Sequence, residues 1–300
     1  MRITDNLFFR KDYLMTKQEF QELVNQGPLI LDGATGSNLM KAGMPKGVCT
    51  EQWVLEHKDV LVELQRQYIE AGSRIIYAPT FAANRISLAE HGLDQEMETM
   101  IPQLVAISKA CVKEGCYVAG DLTTTGKTSI SYDELYAVYQ EQISCLRDAG
   151  VDLLVAETML TLDETMAAVE AAHAVCDLPI LCSLTVESDG SLFFGGNIFE
   201  TALTLQEIGA DAVGINCSTG PDQFESIIAA LKESLTIPII AKPNAGMPTI
   251  DEKGAAHYSM DATAFARHMK RLVELGAEIV GGCCGTTPEY IRELVKILHN

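Results

Sequence analysis

A chain of 300 residues, 47% of them hydrophobic, is long enough to bury a large core in one barrel-sized domain or in two smaller ones. Its formal net charge of −19 argues against nucleic-acid binding, because an acidic surface repels a phosphate backbone. No run of about 18 apolar residues occurs, and the N-terminal MRITDNLFFRKDYLM lacks the apolar stretch of a signal peptide, so a cytoplasmic protein with no membrane span is expected. In chain order, residues 1–15 fit no element. Thr16–Gln26 reads as an extra helix placed to close the bottom of a barrel. Short apolar runs follow: Leu29–Asp32, Arg74–Ala78, Tyr117–Gly120, Leu153–Ala156, Ile180–Leu184, Ala212–Ile215, Ile237–Ala241 and Ile279–Gly281. Continuous apolar runs mark strands buried on both faces. Between them lie helical patterns at Val60–Ala71, Tyr132–Ala149, Leu162–Val175, Ser226–Leu235, Ala262–Leu275 and Thr287–Leu298. Gly72 and Gly150 end the first two as C-caps, and Thr287-Pro288-Glu289 opens the last with an N-cap, a first-turn proline and an acid.

Eight strands alternating with helices predict an α/β fold, a (β/α)8 TIM barrel with an extra N-terminal helix, spanning 1–300 as a single domain. Neither a G-x-G-x-x-G fingerprint nor a Walker A loop is present. The nine cysteines are odd in number and form no CxxC, so a disulfide framework is not expected. Cys111 and Cys145 fall in helical patterns and Cys182 in a strand, which makes them core residues.

Working residues of such barrels sit where strands end. Those ends are Asp32-Gly33, Thr80, Asp121, Glu157, Ser183, Cys217, Asn244 and Cys283-Cys284. Three cysteines come from the sixth and eighth strands, which are separated by one neighbour, roughly 10 Å at ~4.8 Å per strand. Side chains leaning inward can meet there at one ion. Three thiolates suit zinc and leave a fourth tetrahedral position open. Spacing alone leaves a second reading, in which the adjacent cysteines are buried thiols without metal. Gly281, Gly282 and Gly285 would let the backbone turn tightly enough to present the pair. The histidines sit mostly in helical or surface stretches and none is assigned to the metal. Tyr258, after a short insertion, is placed to reach the pocket or to pack beside it.

Gly214-Ile215-Asn216-Cys217-Ser218 and Gly281-Gly282-Cys283-Cys284-Gly285-Thr286-Thr287-Pro288 resemble the two zinc motifs of the homocysteine S-methyltransferase family. Asp32-Gly33-Ala34-Thr35-Gly36, Thr80-Phe81 with Asn84-Arg85, Glu157-Thr158 and Pro243-Asn244-Ala245-Gly246 resemble further family segments, in the right order from about residue 28 to the end. Within the family the likeness is to the homocysteine-binding module of cobalamin-dependent methionine synthases. The resemblance implies one zinc per chain on Cys217, Cys283 and Cys284, with the substrate thiol in the open position. It implies that Asp32 and Glu157 hold the substrate ammonium, with Gly33, Ala34 and Gly36 offering backbone N–H groups to its carboxylate. Asn216 and Asn244 would contact the substrate or orient the loops. Two loops depart from the family pattern: Ala78-Pro79-Thr80-Phe81 replaces T-N-T-F, and Leu122-Thr123-Thr124-Thr125-Gly126 replaces a G-P-T segment. Both face the pocket and bear on acceptor choice and on docking.

The resulting expectation is a zinc-dependent S-methyltransferase that converts homocysteine to methionine. The methyl donor implied is methylcobalamin on a partner corrinoid protein or domain, approaching over Pro79–Asn84 and Leu122–Tyr132. Betaine and S-methylmethionine are the alternative donors. Readings from other classes are a non-catalytic zinc barrel that binds a thiol metabolite, and a thiol redox protein built on Cys283 and Cys284.

Overall fold

The computed structural model describes residues 14–127, 129–251 and 256–299. Of the N-terminal segment that fits no element, residues 1–13 lie outside the described residues. The chain opens with α1 (Lys17–Val24), β1 (Leu29–Ile30), α2 (Gly36–Lys41), α3 (Thr50–Glu56), α4 (Lys58–Ala71) and β2 (Ile75–Tyr77). It continues with α5 (Arg85–Ala89), α6 (Met97–Lys109), β3 (Tyr117–Leu122), α7 (Tyr132–Asp148), β4 (Leu153–Met159), α8 (Leu162–Val175) and β5 (Ile180–Leu184). Then come α9 (Ile198–Glu207), β6 (Ala212–Cys217), α10 (Glu225–Ser234) and β7 (Ile239–Pro243). A hairpin of β8 (Pro248–Ile250) and β9 (Ala256–Tyr258) precedes α11 (Ala262–Glu274), β10 (Ile279–Val280) and α12 (Pro288–Leu298).

Eight strands pair in parallel in the order β1-β10-β7-β6-β5-β4-β3-β2. A parallel bridge from Leu31 to Ile75, with Arg74 N–H donating to Ile30 O at 2.8 Å, brings the two ends together. The result is the expected (β/α)8 barrel.

Strand parity sorts the side chains into two cores. Ile76, Val118, Leu154, Ile180, Val213 and Ile239 face outward and pack under the helices. Leu29, Leu31, Ile75, Leu153, Leu181 and Ile240 face inward and meet Phe20, Leu23 and Val24 of α1. The extra helix therefore closes the N-terminal end of the barrel. Thr16 and Glu19 form a capping box at its start, and Lys17 pairs with Asp211 at 3.0 Å. Continued toward the other end, the inward register passes from apolar residues to Asp121, Glu157, Ser183, Asn216 and Lys242, all buried. A polar layer therefore lies under the mouth.

Some elements escaped the sequence patterns. α6 contains Pro102, which interrupts the helical signal without ending the helix. It also ends before Cys111, which lies just past it instead of within it. α2, α3 and α5 have at most seven residues each, too few for a clear period. Among the described residues, no helix is long and apolar enough to cross a membrane.

Candidate active site

Cys217 ends β6 with its backbone in the left-handed region, φ +59°, and Ser218 follows at +56°. Such a conformation in non-glycine residues persists only when neighbours enforce it. Here they do. The Ser218 hydroxyl meets Thr185 Oγ1 at 2.7 Å and accepts Val186 N–H at 2.9 Å. Asn216 accepts Thr158 N–H at 3.0 Å and donates to Thr158 Oγ1 at 2.7 Å. Its amide thus bridges β6 to the end of β4, where Thr158 is itself at φ +58°.

Cys283 and Cys284 follow β10 and are fixed mostly by backbone bonds. Cys283 N–H donates to Pro243 O at 2.7 Å, and Cys284 O accepts Ala245 N–H at 3.0 Å. Thr286 Oγ1 donates to Cys283 O at 2.7 Å and accepts Ala34 N–H at 3.1 Å. Gly285, at φ +84°, makes the turn, and any Cβ there would fall on the Tyr258 ring. Tyr258 thus packs on the turn that presents the two cysteines, with its side chain interacting with Cys284.

The order β6-β7-β10 brings the three sulfurs together: all lie within 4.8 Å of one another, with Cys217 and Cys284 Sγ 3.9 Å apart. Bonds of about 2.3 Å to a tetrahedral ion would separate sulfurs by roughly 3.8 Å. Three soft donors at this spacing, with Cys283 buried and the other two half-buried, fit zinc. Hydrogen bonds from Cys217 and Cys283 hold the Cys284 thiol below its usual range, while contacts with Cys283 and then Cys284 push Cys217 up. All nine cysteines are free.

Beside the sulfurs lies a buried charge cluster. Asp32 Oδ2 accepts Tyr77 N–H at 2.8 Å. Lys242 Nζ, on β7, stands 3.0 Å from Glu157 Oε2 and 3.7 Å from Asp32 Oδ1. Asp121 on β3 adds a third carboxylate. Burial raises Asp32 to about 7, against the pull of Lys242. Burial also raises Glu157, and burial with the Glu157 charge raises Asp121 further. Glu157 Oε2 and Asp32 Oδ1 face the Lys242 ammonium, while Asp121 Oδ1 is a buried acceptor without a hydrogen-bond donor among the described residues.

The remaining candidates take their places around this cluster. A Cβ on Gly33 would sit 2.6 Å from Tyr68 Oη, so only glycine fits. The Ala34 N–H is engaged by Thr286, as above, and the Ala34 carbonyl accepts Tyr68 Oη at 2.8 Å. Asn244 is buried, its N–H on Thr219 O at 3.0 Å and its Oδ1 without a donor.

The two divergent loops are anchored by acids that the sequence did not single out. Glu164 accepts from Thr124 Oγ1 at 2.6 Å, Thr125 N–H at 2.6 Å and Tyr139 Oη at 3.0 Å. Glu51 accepts Ala82 N–H at 2.8 Å. Lys242 is the other residue missed; its signal was the inward parity shared with Ile240.

Fold and site together define a class: a (β/α)8 barrel with a three-thiol, metal-competent centre and an acidic cluster at the C-terminal ends of its strands. The chain belongs to the homocysteine S-methyltransferase family, whose model matches residues 29–298. It is 30% identical over 297 residues to a methionine synthase of Mycobacterium leprae, covering 91% of this chain and 24% of that protein. It is 28% identical over 302 residues to the methionine synthase of Mycobacterium tuberculosis, covering 93% and 25%. The chain thus spans about a quarter of the length of these relatives. In structure it resembles the homocysteine methyltransferase MmuM of Escherichia coli, with a TM-score of 0.80 for the oxidized form, 22% identity, and coverage of 93% of this chain and 99% of that one. The metallated form gives 0.78, 23%, 92% and 98%. At these identities the likeness is one of fold.

Proposed function

We propose that this barrel is a single functional module that methylates homocysteine to methionine in the cytoplasm. The observation that carries the reading is the convergence of Cys217, Cys283 and Cys284 to within 4.8 Å, beside the carboxylates of Asp32 and Glu157. One zinc ion held by the three sulfurs would supply a fourth position at which a substrate thiol loses its proton and stays nucleophilic. The chain's own residues do the rest. Asp32 and Glu157 take the acceptor ammonium, which anchors the amino-acid end and leaves the thiol facing the cysteines. Asn216 and Thr158 hold the end of β4 to that of β6, so that Glu157 and Cys217 keep their separation. Nine free thiols suit a reducing compartment.

The donor proposed is a methylcorrinoid on a separate protein or domain. Two observations support it. The methionine synthases matched are about four times as long as the chain, leaving room in those proteins for donor domains. Loops after the strands also present exposed apolar side chains, among them Phe81, Phe193, Phe194 and Met247, where a bulky carrier would dock.

The test is methionine formation from homocysteine with zinc-loaded protein, offered methylcobalamin, a methylated corrinoid protein, betaine or S-methylmethionine in separate reactions. Turnover with a corrinoid donor is expected. Turnover with betaine or S-methylmethionine alone would replace the donor and keep the acceptor. No methionine from any of the four would remove the proposed activity and leave a thiol-binding barrel.

A further inference from the structure

Lys242 is a buried cation to which the proposed reaction gives no role. It lies on β7 in the inward register of Ile240, with 3% of its side chain exposed. Its Nζ lies 4.5 Å from the centroid of the Tyr77 ring, as well as beside Glu157 and Asp32. The groups facing it come from five strand ends: Asp32 after β1, Tyr77 on β2, Asp121 on β3, Glu157 on β4 and Cys283 after β10. Three buried carboxylates therefore share one internal ammonium. A buried charge survives only when it is paired, and an unpaired buried carboxylate takes up a proton. A neutral carboxylic acid is a poor partner for an incoming ammonium. Lys242 opposes that neutralisation at both Asp32 and Glu157. It is also less exposed than Glu157, whose side chain keeps 10% exposed, so of this pair the carboxylate is the partner open to solvent.

We infer that Lys242 is a positioning residue that holds Asp32 and Glu157 aimed at the acceptor's ammonium, and so sets selectivity for amino-acid thiols over thiols that lack an amino group. The inference rests on the acceptor reading above. It is tested by titration calorimetry of zinc-loaded wild type, Lys242→Met, Lys242→Gln and Lys242→Arg. The two ligands are homocysteine and 4-mercaptobutanoate, which is homocysteine without its amino group. Lys242→Met and Lys242→Gln are expected to lose at least about tenfold in homocysteine affinity. Both should bind 4-mercaptobutanoate as wild type does, which also shows that each variant is folded. Lys242→Arg, which keeps the charge, is expected to recover much of the loss. Equal losses for both thiols would make the residue merely structural, and unchanged or tighter homocysteine binding would mean that the lysine is idle or competes with the substrate; each overturns the inference. Wild type that binds neither thiol would remove the acceptor reading itself, and the role of Lys242 with it.

Discussion

Asp32 shows how a single residue would couple the protein to the proposed acceptor. Its carboxyl is raised to about 7, first by burial, with Lys242 pulling the other way. A group whose pKa is raised on folding favours the folded state below its unfolded value, and that contribution is lost as pH rises through the folded value. Ionised Asp32 is therefore a cost to the folded protein above about pH 7. An acceptor ammonium would offset that cost, since it binds the ionised form. Homocysteine affinity should accordingly rise with pH, but so should that of any thiol that must lose a proton to a metal. The ratio of homocysteine to 4-mercaptobutanoate affinity cancels the thiol's own contribution. It is expected to climb from about pH 5.5 to about pH 7, by no more than roughly tenfold per unit, and then flatten. A ratio constant across that range would mean that Asp32 does not meet the ammonium.

At the scale of elements, α1 acts as a plug whose removal should be felt in stability. Phe20 is fully buried against the inward strand residues. Phe20→Ala is expected to cost about 3–5 kcal/mol in denaturant unfolding, while metal and thiol binding at the opposite end stay as in wild type. A loss under about 1 kcal/mol would mean that the helix only covers the barrel and does not pack into it. The strands were legible because a strand buried on both faces must be apolar throughout, and Ile180–Leu184 needs no correction at either end. The cysteines and Glu157 were legible because motif and strand end coincide. Lys242 was not, because the apolar run Ile237–Ala241 ends just before it, and a lysine there reads as the solvated end of a strand. Only ring closure, which brings β1, β3 and β4 around to face β7, shows that it is enclosed by carboxylates. Glu164 was hidden for a similar reason: an acid in the first turn of α8 reads as a helix-terminus residue, and its Thr124 and Thr125 partners lie in a loop some 40 residues earlier.

Taken whole, the molecule has a graded interior, apolar at the end closed by α1 and polar at the mouth. The charge that the sequence carries in excess, −19, is mostly a surface property. Of the few acids drawn inside, Asp32, Asp121 and Glu157 stand at the mouth beside the three thiols. The rim above them carries exposed apolar side chains on several loops. Under the proposed function, acceptor binding, thiol activation and donor approach would be stacked along one axis, with a middle layer where the cysteines would hold zinc and leave one position for the acceptor sulfur. The most direct test is zinc X-ray absorption on the loaded protein with and without homocysteine. The expected result is three sulfur neighbours at about 2.3 Å in the free protein and four once homocysteine is added. A sulfur shell that does not grow with homocysteine, or a metal held mainly by nitrogen and oxygen, would contradict it.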